Sequence, residues 1–129
     1  MTPEQRAAFA RLADELLPAT GDLPAPSTLA VEQKWLDRAL ATRPDLAADL
    51  DRALASGATA RALHDDDPTA FFALGLMATG AYYLHPRVRR LIGYPGQKPD
   101  PAADDESDYW LRDGLLDPVI ERGPTWRQA

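Results

Sequence analysis

Tyr82, Tyr83 and His85 fall within a single helical turn's worth of sequence, Ala-Tyr-Tyr-Leu-His. Phenols and an imidazole this close can do acid–base chemistry once burial and neighbouring charge tune their pKa values. The simpler assignment has the two tyrosines ending a buried helix with their hydroxyls toward water, and His85 capping locally at the helix end. No carboxylate, nucleophile or cofactor motif lies nearby in sequence, which favours the simpler assignment. The only other histidine, His64, precedes Asp65, Asp66 and Asp67. These four could be imagined around a metal ion. Consecutive residues point in different directions, however, and an acidic run ahead of a helix is already explained by the positive end of the helix dipole.

The third cluster is basic. Arg87, Arg89 and Arg90 come directly after His85 and Pro86 and lead into Gly93-Tyr94-Pro95-Gly96. The chain has a net charge of −6, so these arginines form a local positive patch on an acidic protein. Arginine beside tyrosine and tryptophan is also the composition of protein–protein hot spots. The residues expected to contact a partner are Tyr82, Tyr83, His85, Arg87, Arg90, Tyr94 and Pro95, with Trp110 and Trp126 from the C-terminal segment. No P-loop, dinucleotide-binding glycine fingerprint, His-Glu-x-x-His or Gly-x-Ser-x-Gly occurs. No catalytic, cofactor-binding or metal-ligating residue is assigned.

The elements that position these residues are helical. Ala and Leu dominate while Val and Ile are scarce, a balance that favours helix over sheet. Thr2, Pro3 and Gln5 have the pattern of a capping box, and Phe9, Leu12, Ala13, Leu16 and Leu17 form an amphipathic stripe ended by Pro18. A breaker-rich loop runs to Ser27, which is expected to cap a second helix with Val31, Trp35, Ala39 and Leu40 inward. Pro44 opens a third, with Leu46, Ala47, Leu50, Ala53 and Leu54 inward, stopped by Gly57. A short helical turn from Thr59 to Leu63 and a polar corner from His64 to Asp67 should come next.

Asp67 and Pro68 then start the central helix, which carries no charge from Pro68 to Leu84. Phe71, Leu74, Ala78 and Ala81 share one face, Phe72, Leu76, Thr79 and Tyr83 a second, and Ala73, Met77 and Gly80 a third. A helix apolar nearly all round is expected to be enclosed by other helices. It is shorter than the about 20 residues a bilayer demands, so direct membrane insertion is not expected. A small helix with Val88, Leu91 and Ile92 inward should lead to the Gly93–Gly96 turn. Gln97 to Ser107 is rich in Pro, Asp and Glu and reads as irregular. Another short helix over Asp108–Leu116 and an extended tail complete the chain. The fold expected is thus an all-α, single-domain bundle over residues 1–96 with an irregular C-terminal strap over residues 97–129.

Composition narrows the function. A nucleic-acid binder needs a basic surface to release counterions from phosphate, which an acidic chain lacks. Without cysteine there is no disulfide, thiolate-bound iron–sulfur cluster or Cys-x-x-Cys-His haem attachment. The N-terminus shows no basic region followed by an apolar stretch, so a cytoplasmic location is expected, or a periplasmic one if an upstream signal was removed.

The segment Gly-Ala-Tyr-Tyr-Leu-His-Pro-Arg-Val-Arg-Arg-Leu-Ile-Gly-Tyr-Pro-Gly-Gln resembles the gluconate 2-dehydrogenase subunit 3 family. Members are small subunits accompanying flavin-dependent dehydrogenases of the glucose–methanol–choline type. The resemblance runs from about Gln5 to Gln97. It rests on Leu12 to Pro18, Phe71 or Phe72, the Tyr82–Tyr83 pair and Leu91 to Gly96. It implies a non-catalytic helical subunit that binds and stabilises a large flavoprotein subunit, with FAD in that partner and no cofactor here. Many members carry a twin-arginine export signal, which this chain lacks. Two other readings remain: a homo-oligomeric helical module, and a cofactor-free enzyme using His85 with Tyr82 or Tyr83.

Overall fold

Seven α-helices and two short 3-10 turns make up the described part of this computed structural model, which covers residues 1–97 and 113–123. Among those residues there is no strand; a lone bridge pairs Thr20 with Leu23. The fold is all-α. The chain divides into two units, Met1–Gly96 and Gln97–Ala129.

In the first unit, α1 (Pro3–Leu16) begins with the capping box its sequence specifies. The Gln5 N–H donates to Thr2 Oγ1 (3.2 Å), and the Thr2 N–H donates to Gln5 Oε1 (2.8 Å). The second helix departs from expectation. Ser27 does not cap it, because its N–H and hydroxyl both donate to the Asp14 carboxylate, at 2.9 and 2.6 Å. Pro26–Leu29 forms a 3-10 turn instead, and Ala30 at φ 51° breaks the chain direction. The helix proper, α2 (Lys34–Thr42), therefore starts later and turns Leu36 and Ala39 inward, leaving Trp35 only partly buried.

After a 3-10 turn at Pro44–Leu46, α3 (Ala47–Ala55) buries Leu50, Ala53 and Leu54. Next comes α4 (Ala60–Asp66), capped by Thr59, whose hydroxyl accepts from the Ala62 N–H at 3.2 Å. This helix runs through His64, Asp65 and Asp66, so the expected polar corner reduces to Asp67 alone. Asp67 is both linker and cap. Its carboxylate accepts from the Ala70 N–H (3.0 Å) and from Arg52 of α3 (3.1 Å). The Arg52 hydrogen bond is the main reason the Asp67 carboxyl lies below its ordinary range, with the Ala70 N–H next.

The central helix, α5 (Pro68–Leu84), packs against α1, α2, α3 and α4 and meets α6 (Pro86–Leu91) at its end. It buries Ala70, Ala73, Leu74, Met77, Ala78, Ala81 and Tyr82. Small side chains on that face let neighbouring helices come close, as the 3.7 Å between a Cβ built at Gly80 and Ala39 Cβ illustrates. The enclosure expected of so apolar a helix is incomplete, because Phe72 and Tyr83 are exposed along the face that also holds Leu76 and Thr79. No helix of the described residues is long and apolar enough to cross a membrane.

In the second unit, Asp113–Leu116 is a turn rather than helix, and α7 (Asp117–Arg122) occupies part of the tail expected to be extended. The signals were present: Pro118 in the first turn and Gly123 as C-cap at φ 67°. Leu115, Val119 and Ile120 are exposed. The expectations for Gln97–Ser107 beyond Gln97, and for Tyr109, Trp110 and Trp126, lie outside the described residues.

Candidate functional site

Helix α6 ends in a Schellman motif, which accounts for the first glycine of the Leu-Ile-Gly-Tyr-Pro-Gly sequence. Ile92 is the C-cap, and Gly93 comes next in the left-handed region at φ 69°. The Gly93 N–H donates to the Arg90 carbonyl (3.1 Å) and the Tyr94 N–H to the Arg89 carbonyl (2.8 Å), the paired bonds of that motif. The Arg89 guanidinium lies 5.2 Å from the Tyr94 ring centroid, a cation–π contact across the turn. Gly96 is called for by its backbone, and a larger residue there would also displace the end of the Arg89 side chain. Its φ is +92°, and a Cβ there would lie 2.6 Å from an Arg89 guanidinium nitrogen. Arg89 thus holds the turn from inside, while Tyr94, half-exposed, and Pro95 project outward.

Leu91 and Ile92, expected to face inward, are exposed at 43% and 46%. A six-residue helix reaches the core at one point, Val88, and its last turn stands clear. Arg87 and Arg90 line a shallow cleft of ≈300 Å³ with Leu91. Arg6, Arg11, Arg43, Arg52 and Arg61 each pair with a carboxylate, whereas Arg87 and Arg90 pair with none among the described residues. The result is a hydrogen-bonded projection of apolar and cationic side chains on a chain of net negative charge.

The tyrosine–histidine set is dispersed into structural tasks. Tyr82, expected on the contact surface, is buried because it falls on the inward face of α5. Its hydroxyl donates to the Pro24 carbonyl at 2.8 Å, so it does not point to water. Burial pushes its phenol upward, with a smaller contribution from Tyr83. Tyr83 is exposed and meets the Tyr82 ring edge-on at 5.4 Å. His85 is the N-cap of α6: Nδ1 accepts from the Arg87 N–H at 3.2 Å, and the ring meets Trp35 edge-on at 5.5 Å. Burial lowers its pKa, and the charges of Arg87 and Arg90 lower it further. His64 lies on α4, hydrogen-bonded to Asp65 (2.8 Å) and edge-on to Phe71. No group of three metal-ligating side chains occurs among the described residues.

Two larger clefts adjoin the helices. One, of ≈440 Å³, is lined in part by Arg6, Glu32 and Gln33. Its cation is already used: Arg6 donates to the Glu32 and Gln33 carbonyls and to both Asp37 oxygens. The other is a largely apolar groove of ≈400 Å³ between α2 and α5, lined by Ala39, Leu76, Met77, Gly80 and Tyr83, with Thr42 and Arg43 at its polar end. It opens onto the uncovered face of α5. Reasoning from sequence missed Phe72 as a surface residue, because α5 has no charged side to mark which face stays open.

Comparison of the chain with protein-family models, with curated proteins and with solved structures gives no match.

Proposed function

We propose that this chain is a small accessory subunit that binds and stabilises a larger flavin-dependent dehydrogenase acting on a sugar or related alcohol. The FAD and the chemistry belong to the large subunit. What carries the reading is the turn after α6: the segment that resembles the gluconate 2-dehydrogenase subunit 3 family is built as a stiff projection. Leu91, Ile92 and Tyr94 are exposed on it beside Arg87 and Arg90, and no core contact requires that exposure. A side chain held by a fixed turn loses little conformational entropy on docking, which suits Tyr94 as an anchor. Arg90 and Arg87 offer donors to acidic or carbonyl groups around it.

The test is co-expression with a large flavoprotein subunit of the glucose–methanol–choline type, followed by gel filtration. A stable complex is expected, weakened by Tyr94→Ala combined with Arg90→Ala. The Schellman hydrogen bonds are backbone bonds, so the circular dichroism of the free double variant should stay unchanged. Unchanged association would place the contact surface elsewhere. Turnover by the isolated chain with a histidine-like pKa would favour a stand-alone enzyme instead.

A further inference from the structure

His85 is the single residue between α5 and α6, and it is bonded to both. Its N–H donates to the Tyr82 carbonyl at the end of α5 (3.1 Å), and its carbonyl accepts from the Arg89 N–H of α6 (3.1 Å). Its ring closes the first turn of α6, where Nδ1 accepts from the Arg87 N–H at 3.2 Å. The other side-chain caps among the described helices are Thr2, Thr59 and Asp67, residue types that ordinarily do this job. Neither threonine titrates, and the hydrogen bond from Arg52 holds the Asp67 carboxyl below its ordinary range. The cap of α6 is the one whose charge changes in mild acid.

An imidazole accepts at Nδ1 only while that nitrogen keeps its lone pair, which puts the proton of the neutral ring on Nε2. A second proton, taken from solvent at Nδ1, sets an N–H against the Arg87 N–H, and the cap becomes two opposed donors. No group around the ring offsets the new charge. From α6 the charges acting on it are those of Arg87 and Arg90, both cations. From α2 it meets the Trp35 ring edge-on at 5.5 Å, and the Lys34 ammonium lies 5.2 Å from the centroid of that same ring. From α5 the adjacent titratable groups are Tyr82 and Tyr83, phenols that stay neutral in this range. No carboxylate among the described residues lies within ion-pair distance of His85.

The effect is confined to α6. That helix is six residues long and reaches the core only through Val88, so it depends on its cap. Arg89 ties its two ends together: the Arg89 N–H donates to the His85 carbonyl, and the Arg89 carbonyl accepts from the Tyr94 N–H (2.8 Å). The core beneath buries no polar or charged residue among the described residues, so mild acid gives it nothing to titrate.

We propose that His85 is a proton-operated latch on the α6 projection: the neutral ring caps α6 and fixes Tyr94 for docking, whereas the protonated ring releases the first turn, α6 frays, and the partner subunit is let go. Burial, and then Arg87 and Arg90, lower the pKa of the ring, so the latch is closed at neutral pH and opens below 6.5. The docking half of this inference rests on the accessory-subunit reading; the latch itself belongs to the free chain.

NMR of the whole, isotope-labelled chain from about pH 7.5 to about pH 5 tests the latch. His85 should titrate below 6.5, and the Cα shifts of Val88 to Leu91 should move toward coil values with the same midpoint. A lost cap corresponds to a roughly fivefold fall in helix population. Shifts of Leu74 and Ala78 in the core should hold still. His85→Asn keeps an acceptor for the Arg87 N–H and should abolish the movement, whereas His64→Asn, which removes the other histidine, should not. Titration of His85 without movement in α6, or equal movement in His85→Asn, overturns the latch. Association with a large flavoprotein subunit of the glucose–methanol–choline type should weaken about fivefold more across this pH range for the wild type than for His85→Asn. Equal weakening of the two overturns the control of docking. Absence of binding at both ends of the range overturns the accessory reading and the docking half with it, while the shifts still decide the latch.

Discussion

The two sides of α5 are alike in chemistry and opposite in fate. Ala73, Leu74, Met77, Ala78 and Ala81 on one side are almost wholly excluded from water, while Phe72 and Tyr83 on the other stand half in it. Hydrophobicity does not tell them apart. Size does: the inward side is mostly alanine with Leu74 and Met77 as its large members, and the outward side puts aromatics at its ends. Helices α2 and α3 can approach an alanine-lined face closely, whereas a face ending in Phe72 and Tyr83 holds neighbours away unless they interlock with it. A short chain thereby builds a dense core and keeps an apolar face open.

The largest expected effect lies on the closed side. Leu74 is fully buried beneath the surrounding helices, so Leu74→Ala should lose about 2–5 kcal/mol to lost transfer energy and a residual cavity. Urea unfolding of the free chain measures it. A loss below about 1 kcal/mol would mean the centre of α5 collapses around the gap, and the contrast between the two sides would weaken accordingly. The six arginine–carboxylate pairs among the described residues cannot mask such a change, since exposed pairs contribute about 0–1 kcal/mol each.

How far this architecture was legible depends on the same division. Caps are local, so Thr2, Asp67 and Pro68 marked the starts of α1 and α5 from a few residues each. The start of α2 was not local. Ser27 has the right type for a cap, but Asp14, thirteen positions earlier, takes both of its hydrogens, and only the tertiary fold brings the two together. Once the start was misplaced, the inward phase moved with it and Leu36 was overlooked. The open side of α5 was illegible for a different reason: periodicity reveals orientation only where polar residues break the pattern, and from Pro68 to Leu84 none is charged. At the candidate site, the turn after α6 could be read because glycine spacing encodes backbone geometry. The inward place of Tyr82 could not, since adjacent tyrosines differ only in helical phase.

That adjacent pair gives the next, smaller test. Tyr82→Phe removes the hydrogen bond to the Pro24 carbonyl and should lower stability by about 1 kcal/mol. Tyr83→Phe removes an exposed hydroxyl and should change stability by less than about 0.5 kcal/mol. Equal effects in thermal unfolding would erase the distinction between the inward and outward tyrosine. Phe72→Ser sharpens it further. Its ring is mostly in water, so the free chain should stay within about 0.5 kcal/mol of wild type.

The smallest effect concerns the junction where the two sides of α5 meet α6. His85 caps α6 and packs edge-on against Trp35, and its pKa is lowered first by burial and then by Arg87 and Arg90. In the unfolded chain the imidazole takes up a proton near its ordinary value of 6.5, whereas in the folded chain it does so only at lower pH. Between those values the unfolded state binds more protons, so stability rises with pH. The contribution is complete above 6.5 and is lost as pH falls below that value toward the folded pKa. Asn can still accept from the Arg87 N–H, so His85→Asn preserves the cap and removes the titration. Melting temperatures at about pH 7.5 and about pH 5.5 should therefore fall further for the wild type than for His85→Asn. Parallel falls would mean that His85 keeps its water in the fold, and that the Trp35 contact does not seal the end of α5.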